Sequence, residues 1–214
     1  MESITVLLVS AVSIGFFHTL FGPDHYLPFI VIGKAKNWSI LKVSVITLIS
    51  GLAHVGSSIM LGLVGVGLGI ALNKLELFES FRGTLAAWLM IAFGLVYFVY
   101  GLRRAIKKHS HTHHHINKND TDITPWVLFT IFIFGPCEPL IPLLMYPAIK
   151  YNMMGVILVA GVFGLVTILT MLGIVLISLY GTNIIKLHKM ERYAHAFAGG
   201  IIFLSGLAIQ FLGL

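Results

Sequence analysis

The stretch His18-Thr19-Leu20-Phe21-Gly22-Pro23-Asp24-His25-Tyr26-Leu27-Pro28 sets two histidines, a carboxylate and two prolines into sequence that is apolar on both sides. Proline removes a backbone donor and clashes with the preceding turn, so Gly22, Pro23 and Pro28 predict a break in the helix that carries them. Ionisable groups at membrane depth are costly and rare, and where they occur they mark ion paths, proton relays or binding sites. A second copy of the frame, Phe134-Gly135-Pro136-Cys137-Glu138-Pro139-Leu140-Ile141-Pro142, starts 113 residues after Phe21. There Gly135, Pro136 and Pro139 predict a second break.

Around these two stretches the 214 residues are 57% hydrophobic and only 10% charged, against roughly 25% charged in a soluble domain. That leaves too little polar surface to cover a water-soluble globule. Several apolar runs exceed the ~20 residues needed to cross a bilayer, so the chain reads as an all-α, polytopic membrane protein. A net charge of +6 would suggest nucleic acid in a soluble protein. Here it reflects loop charge, and with no nucleic-acid-binding motif the large partner is the lipid bilayer. One cysteine, Cys137, excludes an intramolecular disulfide. The N-terminal apolar run lacks a preceding positive region and reads as a retained span.

Six spans are expected. The first begins near Ile4 and runs through the opening stretch. The second covers about Ile40 to Leu72, a short amphipathic connector covers Asn73 to Arg82, and the third runs from Gly83 to Leu102. The fourth starts at Pro125 and crosses the second Gly-Pro frame. The fifth spans about Met153 to Tyr180 and the sixth Ala194 to Leu214. Eleven of the fourteen Lys and Arg residues fall in loops 1, 3 and 5, which places those loops in the cytoplasm and both termini outside. Tyr97 and Tyr100 read as interface anchors. Glu191 and His195, four apart, read as an ordinary helix-surface pair.

The halves repeat. Phe21-Gly22-Pro23 matches Phe134-Gly135-Pro136 at an offset of 113, Met60 to Gly62 matches Met171 to Gly173 at 111, and Gly94 and Gly101 match Gly206 and Gly213 at 112. Common offsets in all three span pairs predict two three-helix repeats, residues 1–102 and 125–214, joined by the polar segment 103–124. An odd number of spans per repeat inverts one half against the other. That is the design of secondary transporters, with broken helices 1 and 4 meeting at a midplane site.

Within the expected spans Asp24 and Glu138 are the only acids, one position apart when the frames are superposed. With His18, His25, His54 and Cys137 they offer imidazole, carboxylate and thiolate donors. That mixture suits a late first-row divalent ion, whereas Mg2+ and Ca2+ prefer all-oxygen shells. Each residue also has a plainer reading. A lone intramembrane histidine can satisfy a backbone carbonyl, an Asp-His pair can order a kink or relay protons, and a lone cysteine is often an inert small residue. The run containing His109, His111, His113, His114 and His115 adds imidazoles on a polar tether, a weak and adaptable metal-binding tract.

With these residues in view, the chain resembles the nickel/cobalt transporter superfamily, including its NicO-type exporters and UreH-like membrane proteins. His18, Asp24 and His25 are similar to that group's His-x4-Asp-His motif, with one extra residue. Gly51-Leu52-Ala53-His54-Val55 is similar to its Gly-x-x-His motif, and the histidine tract to its cytoplasmic loop. Gly135-Pro136-Cys137 also resembles the Pro-Cys motif of the cytochrome-c-biogenesis thiol-disulfide membrane transporters. Those have two inverted three-helix repeats and a cysteine in each, and Asp24 stands at the first of these positions here. The resemblances imply a carrier in the cytoplasmic membrane, not an enzyme, that moves Ni2+ or Co2+ as substrate and needs no other cofactor. A cytoplasmic metallochaperone and a second copy of the chain are the protein partners this admits. Two alternatives remain open: a membrane thiol-redox or assembly factor using Cys137 with a partner thiol, and an exporter of a small anion such as sulfite.

Overall fold

The computed structural model describes residues 2–107, 122–150, 153–184 and 192–212. Among them there is no strand, and the elements are helices α1 (Glu2–Phe21), α2 (Leu27–Ala35), α3 (Ile40–Gly67), α4 (Leu72–Lys107), α5 (Thr124–Phe134), α6 (Leu140–Lys150), α7 (Met153–Ile184) and α8 (Ala194–Leu212). Five of them, α1, α3, α4, α7 and α8, are long and apolar enough to cross a membrane, while α5 is a shorter apolar helix of 11 residues. This is the make-up of a multi-pass helical membrane protein. Large apolar side chains such as Val6, Met60, Val96 and Ile177 are more than 60% exposed, as lipid-facing positions should be.

Both Gly-Pro frames interrupt their helices. After Phe21 the chain makes a single 3-10 turn, Pro23–His25, and α2 then starts with Pro28 in its first turn, where a missing N–H costs nothing. Pro28 therefore opens a helix instead of breaking one. At the second frame α5 stops at Phe134 and α6 resumes at Leu140. Pro at the start of α5 has the same helix-opening role.

The reversals between helices have local causes. α2 ends on Asn37 in the left-handed region (φ 52°), with the Trp38 N–H donating to the Gly33 carbonyl at 2.9 Å, the Schellman arrangement. Ser39 then caps α3 by accepting from Lys42 N–H. α3 ends earlier than expected because Gly69, at φ 63°, turns the chain, and Ile70 N–H closes onto Gly65.

The expected connector from Asn73 to Arg82 is not a connector. It forms the opening turns of α4, an unbroken helix of 36 residues. No Pro or Gly lies between Leu72 and Arg82 to stop it. Leu75 is buried, and Glu79 and Arg82 pair one turn apart at 2.8 Å. Tyr97 is buried against α8 with its hydroxyl 2.8 Å from His195 Nδ1, whereas Tyr100 is exposed. His195 also meets Arg104 at 3.0 Å. Glu191 lies outside the described residues.

The closest crossing is between α4 and α8, where glycines let backbones touch. A Cβ on Gly94, Gly101 or Gly199 would collide with backbone atoms of the facing helix, so small residues are required there. One apolar core joins α2, α3, α4, α5, α7 and α8 around Phe29, Phe132, Met171 and Ile202. A second, around Cys137, Leu144, Val159 and Phe163, joins α1, α6 and α7. At one end of the molecule Lys36 and Lys42 both meet Asp122 ahead of α5, and Arg192 donates to the Ala105 carbonyl at 2.7 Å.

Candidate metal centre

Three histidines converge where the first break meets α3. His18 sits in the last turn of α1, His25 ends the 3-10 turn, and His54 lies mid-way along α3. On α3, Thr47, Ser50, His54 and Ser58 are all buried. Their spacing of three or four residues puts them on one face, a polar stripe in an otherwise apolar helix. The 3-10 turn at the break sets the His25 ring between those of His18 and His54.

Ring centroids are 4.8 Å apart for His18 and His25 and 5.0 Å for His25 and His54, edge-to-face in both cases. One ligand nitrogen from each of the three falls within 4.8 Å of the others. Around one tetrahedral ion, metal–nitrogen bonds of about 2.1 Å set nitrogens roughly 3.4 Å apart, so the imidazoles need to draw in by little more than an ångström.

The hydrogen bonds prepare His25 for that. Its Nδ1 lies 3.0 Å from the Gly22 carbonyl and 3.1 Å from Asp24 Oδ1. Both are acceptors, so the proton sits on Nδ1 and Nε2 carries the lone pair. Asp24 thus orients and polarises the His25 ring from behind, the place a carboxylate usually takes beside a metal-bound histidine. His25 Nε2, His18 Nε2 and both ring nitrogens of His54 are buried without a hydrogen-bond partner. The Phe132 carbonyl is close to His54 but outside hydrogen-bond geometry. Buried polar atoms in native structures are nearly always paired. Four orphaned nitrogens in one cluster therefore point to a partner that the protein does not itself supply.

These side chains open onto a cavity of about 790 Å3, lined also by Ser13, Ser80, Thr84, Pro136, Glu138 and Gln210. That volume admits an ion with its water shell. Gly22 and Gly135 form close parts of its wall: a Cβ would overlap His25 Nδ1 at 2.5 Å in the first case and press tightly on His54 Nδ1 at 3.0 Å in the second.

Of the six residues expected as ligands, His18, His25 and His54 meet, and Asp24 stands behind His25. Glu138 is exposed to the cavity they share. Cys137 is fully buried in the apolar cluster of α1, α6 and α7 and does not line the cavity. The histidines from 109 to 115 lie outside the described residues. Asp24 and Glu138 are not the only acids set among the apolar helices, because Glu79 on α4 is 1% exposed and pairs with the likewise buried Arg82. The i, i+3 spacing of Glu79 and Arg82, with no helix breaker between them, was the available signal.

No family model matches the chain, and neither does any curated protein or solved structure.

Proposed function

We propose that the protein is a secondary transporter of a divalent transition-metal ion, Ni2+ or Co2+ foremost, with His18, His25 and His54 as the imidazole ligands. The observation that carries this reading is the cluster of orphaned, buried ring nitrogens opening onto a cavity at a helix break. Neutral imidazole suits Ni, Co, Zn and Cu. Three such ligands leave coordination positions for water or for Glu138 across the cavity, which keeps the ion exchangeable.

Alternating access needs two halves that rock about the site, and the helix pairing supports two inverted repeats, residues 1–102 and 125–214. Packing of α1 and α2 on α7 is matched by packing of α5 and α6 on α3, and α2 on α8 by α6 on α4. An offset of 112 takes Ala87, Ile91 and Gly94 to Gly199, Phe203 and Gly206. A Cβ on Gly94 would lie 3.0 Å from the Gly199 carbonyl, and one on Gly206 would lie 3.1 Å from the Ala87 carbonyl. A contact that recurs with its partners exchanged is what a two-fold axis between the halves produces. The shared contacts of Lys36, Lys42 and Asp122, and of Arg192 with Ala105, support loops 1, 3 and 5 on one side. Their positive charge supports the cytoplasm of an inner membrane as that side. The buried Cys137 lends no support to thiol exchange.

The test is uptake or efflux of Ni2+, Co2+ and Zn2+ in proteoliposomes. Flux should require each of His18, His25 and His54. Full flux in His25→Ala protein overturns the reading.

A further inference from the structure

The second break contributes no histidine, but its freed carbonyls are held by a charged side chain from another helix. α5 ends with carbonyls that no helical N–H reaches, and at membrane depth such groups must find partners inside the protein. Arg82 on α4 supplies them. Its Nη2 donates to the Ile133 carbonyl at 2.7 Å, to the Gly135 carbonyl at 3.4 Å and to Ser57 Oγ at 2.6 Å. Its Nη1 donates to Glu79 Oε2 at 2.8 Å and to Ser58 Oγ at 3.4 Å. One planar fork therefore ties α3, α4 and the end of α5 together, which a lysine ammonium cannot do.

What this fork holds is the wall of the metal site. Gly135, whose carbonyl it grips, is the residue whose Cα faces His54 Nδ1. Ser57 and Ser58, its partners on α3, sit one turn beyond His54. Next to Arg82, Gly83 packs on Pro136, where a Cβ would come within 2.8 Å of Cγ.

We infer that Arg82, held in place by Glu79, is a positioning residue for the site: it docks the second break onto α3 and α4 so that Gly135 closes on His54. This rests on the three histidines being a metal site, but the clamp itself has a readout that needs no metal. Cys137 is the only cysteine in the sequence, lies two residues beyond Gly135, and is 0% exposed. Freeing the break uncovers it to a thiol reagent.

The experiment uses the full chain in liposomes, with maleimide labelling of Cys137 and Ni2+ binding measured side by side. Glu79→Leu/Arg82→Met removes the clamp without leaving a buried charge unpaired, a replacement that folds stably in other proteins. Arg82→Lys keeps the charge and loses the fork, and serves if the double variant does not fold. Labelling should quicken in either variant while cooperative melting is kept. Ni2+ affinity should fall by about 10- to 100-fold, the usual loss when a ligand's outer support is removed. Unchanged labelling overturns the clamp, and quicker labelling with unchanged Ni2+ affinity overturns its role at His54. If wild-type protein binds no Ni2+, Co2+ or Zn2+, the metal reading falls while labelling still decides the clamp.

Discussion

The two helix breaks start from the same Phe-Gly-Pro frame and turn it to different uses. At the first, the 3-10 turn leaves His25 facing His18 and His54, and its polar groups look into the cavity. At the second, the corresponding turn serves structure: Gly135 is held by Arg82, Cys137 packs among apolar side chains, and Glu138 is the one ionisable side chain there that faces the cavity. A short frame that recurs in the sequence thus need not fold into two equivalent sites. One break supplies donors from its own residues, and the other supplies a wall that a charged side chain of a neighbouring helix holds in place.

The largest expected effect comes from removing a donor. His25→Ala should reduce metal binding and flux by 100-fold or more, since one of three ligands is lost together with the only one pre-oriented by a carboxylate; equilibrium binding of Ni2+ checks it. Asp24→Asn probes the same break more gently. The amide can still accept from His25 but no longer polarises it, so affinity should drop about 10-fold, within the range for second-layer partners, with melting temperature little changed. Gly135→Ala crosses to the other break and pushes a methyl towards His54 Nδ1. It should weaken binding without touching any donor, and unaltered affinity would mean that the wall does not shape the site. Cys137→Ser should leave flux intact and cost about 1–3 kcal/mol of stability, the penalty for placing an unpaired hydroxyl in an apolar cluster. Loss of flux in that variant, with folding preserved, would restore the thiol as a functional group.

The smallest effect lies outside the membrane, at Asp122. Burial raises its pKa, but hydrogen bonds from Lys36 and Thr124 outweigh this and bring it down to about 2. A depressed carboxylate contributes stability that is complete above its unfolded value of 3.8 and is lost as pH falls towards about 2. Asp122→Asn should therefore cost about 0.2–1 kcal/mol near neutrality, as for exposed ion pairs, and clearly less at pH 2, where the carboxyl is half protonated. Melting curves at the two pH values separate these outcomes.

Much of this was legible in the residues themselves. Proline chemistry located both breaks, apolar length located the long helices, and the rarity of histidine in apolar sequence singled out the three that meet. Other features were not legible, for physical reasons. Asp24 and His25 are adjacent, and spacing alone does not say whether a carboxylate binds an ion directly or stands behind the imidazole that does. Cys137 and Glu138 are adjacent too, and only the irregular backbone after Gly135 decides which faces the cavity. Glu79 and Arg82 looked like loop charges because their mutual neutralisation, which lets them be buried, depends on Ser57, Ser58 and the carbonyls of α5, all distant in sequence.

The length of α4 has a consequence for the surrounding lipid. At 1.5 Å per residue its 36 residues extend about 54 Å, well beyond a hydrocarbon layer of roughly 30 Å. Yet Leu77, Phe78 and Phe81 in its early turns and Ile106 near its end, about 44 Å beyond Leu77, are all exposed. A helix greasy over more than the local thickness leans or gathers longer acyl chains around it. Because Arg82 rides on that same helix, a change in the thickness of the host bilayer should alter how firmly the second break is held, and the rate of Cys137 labelling across lipids of different acyl-chain length checks it.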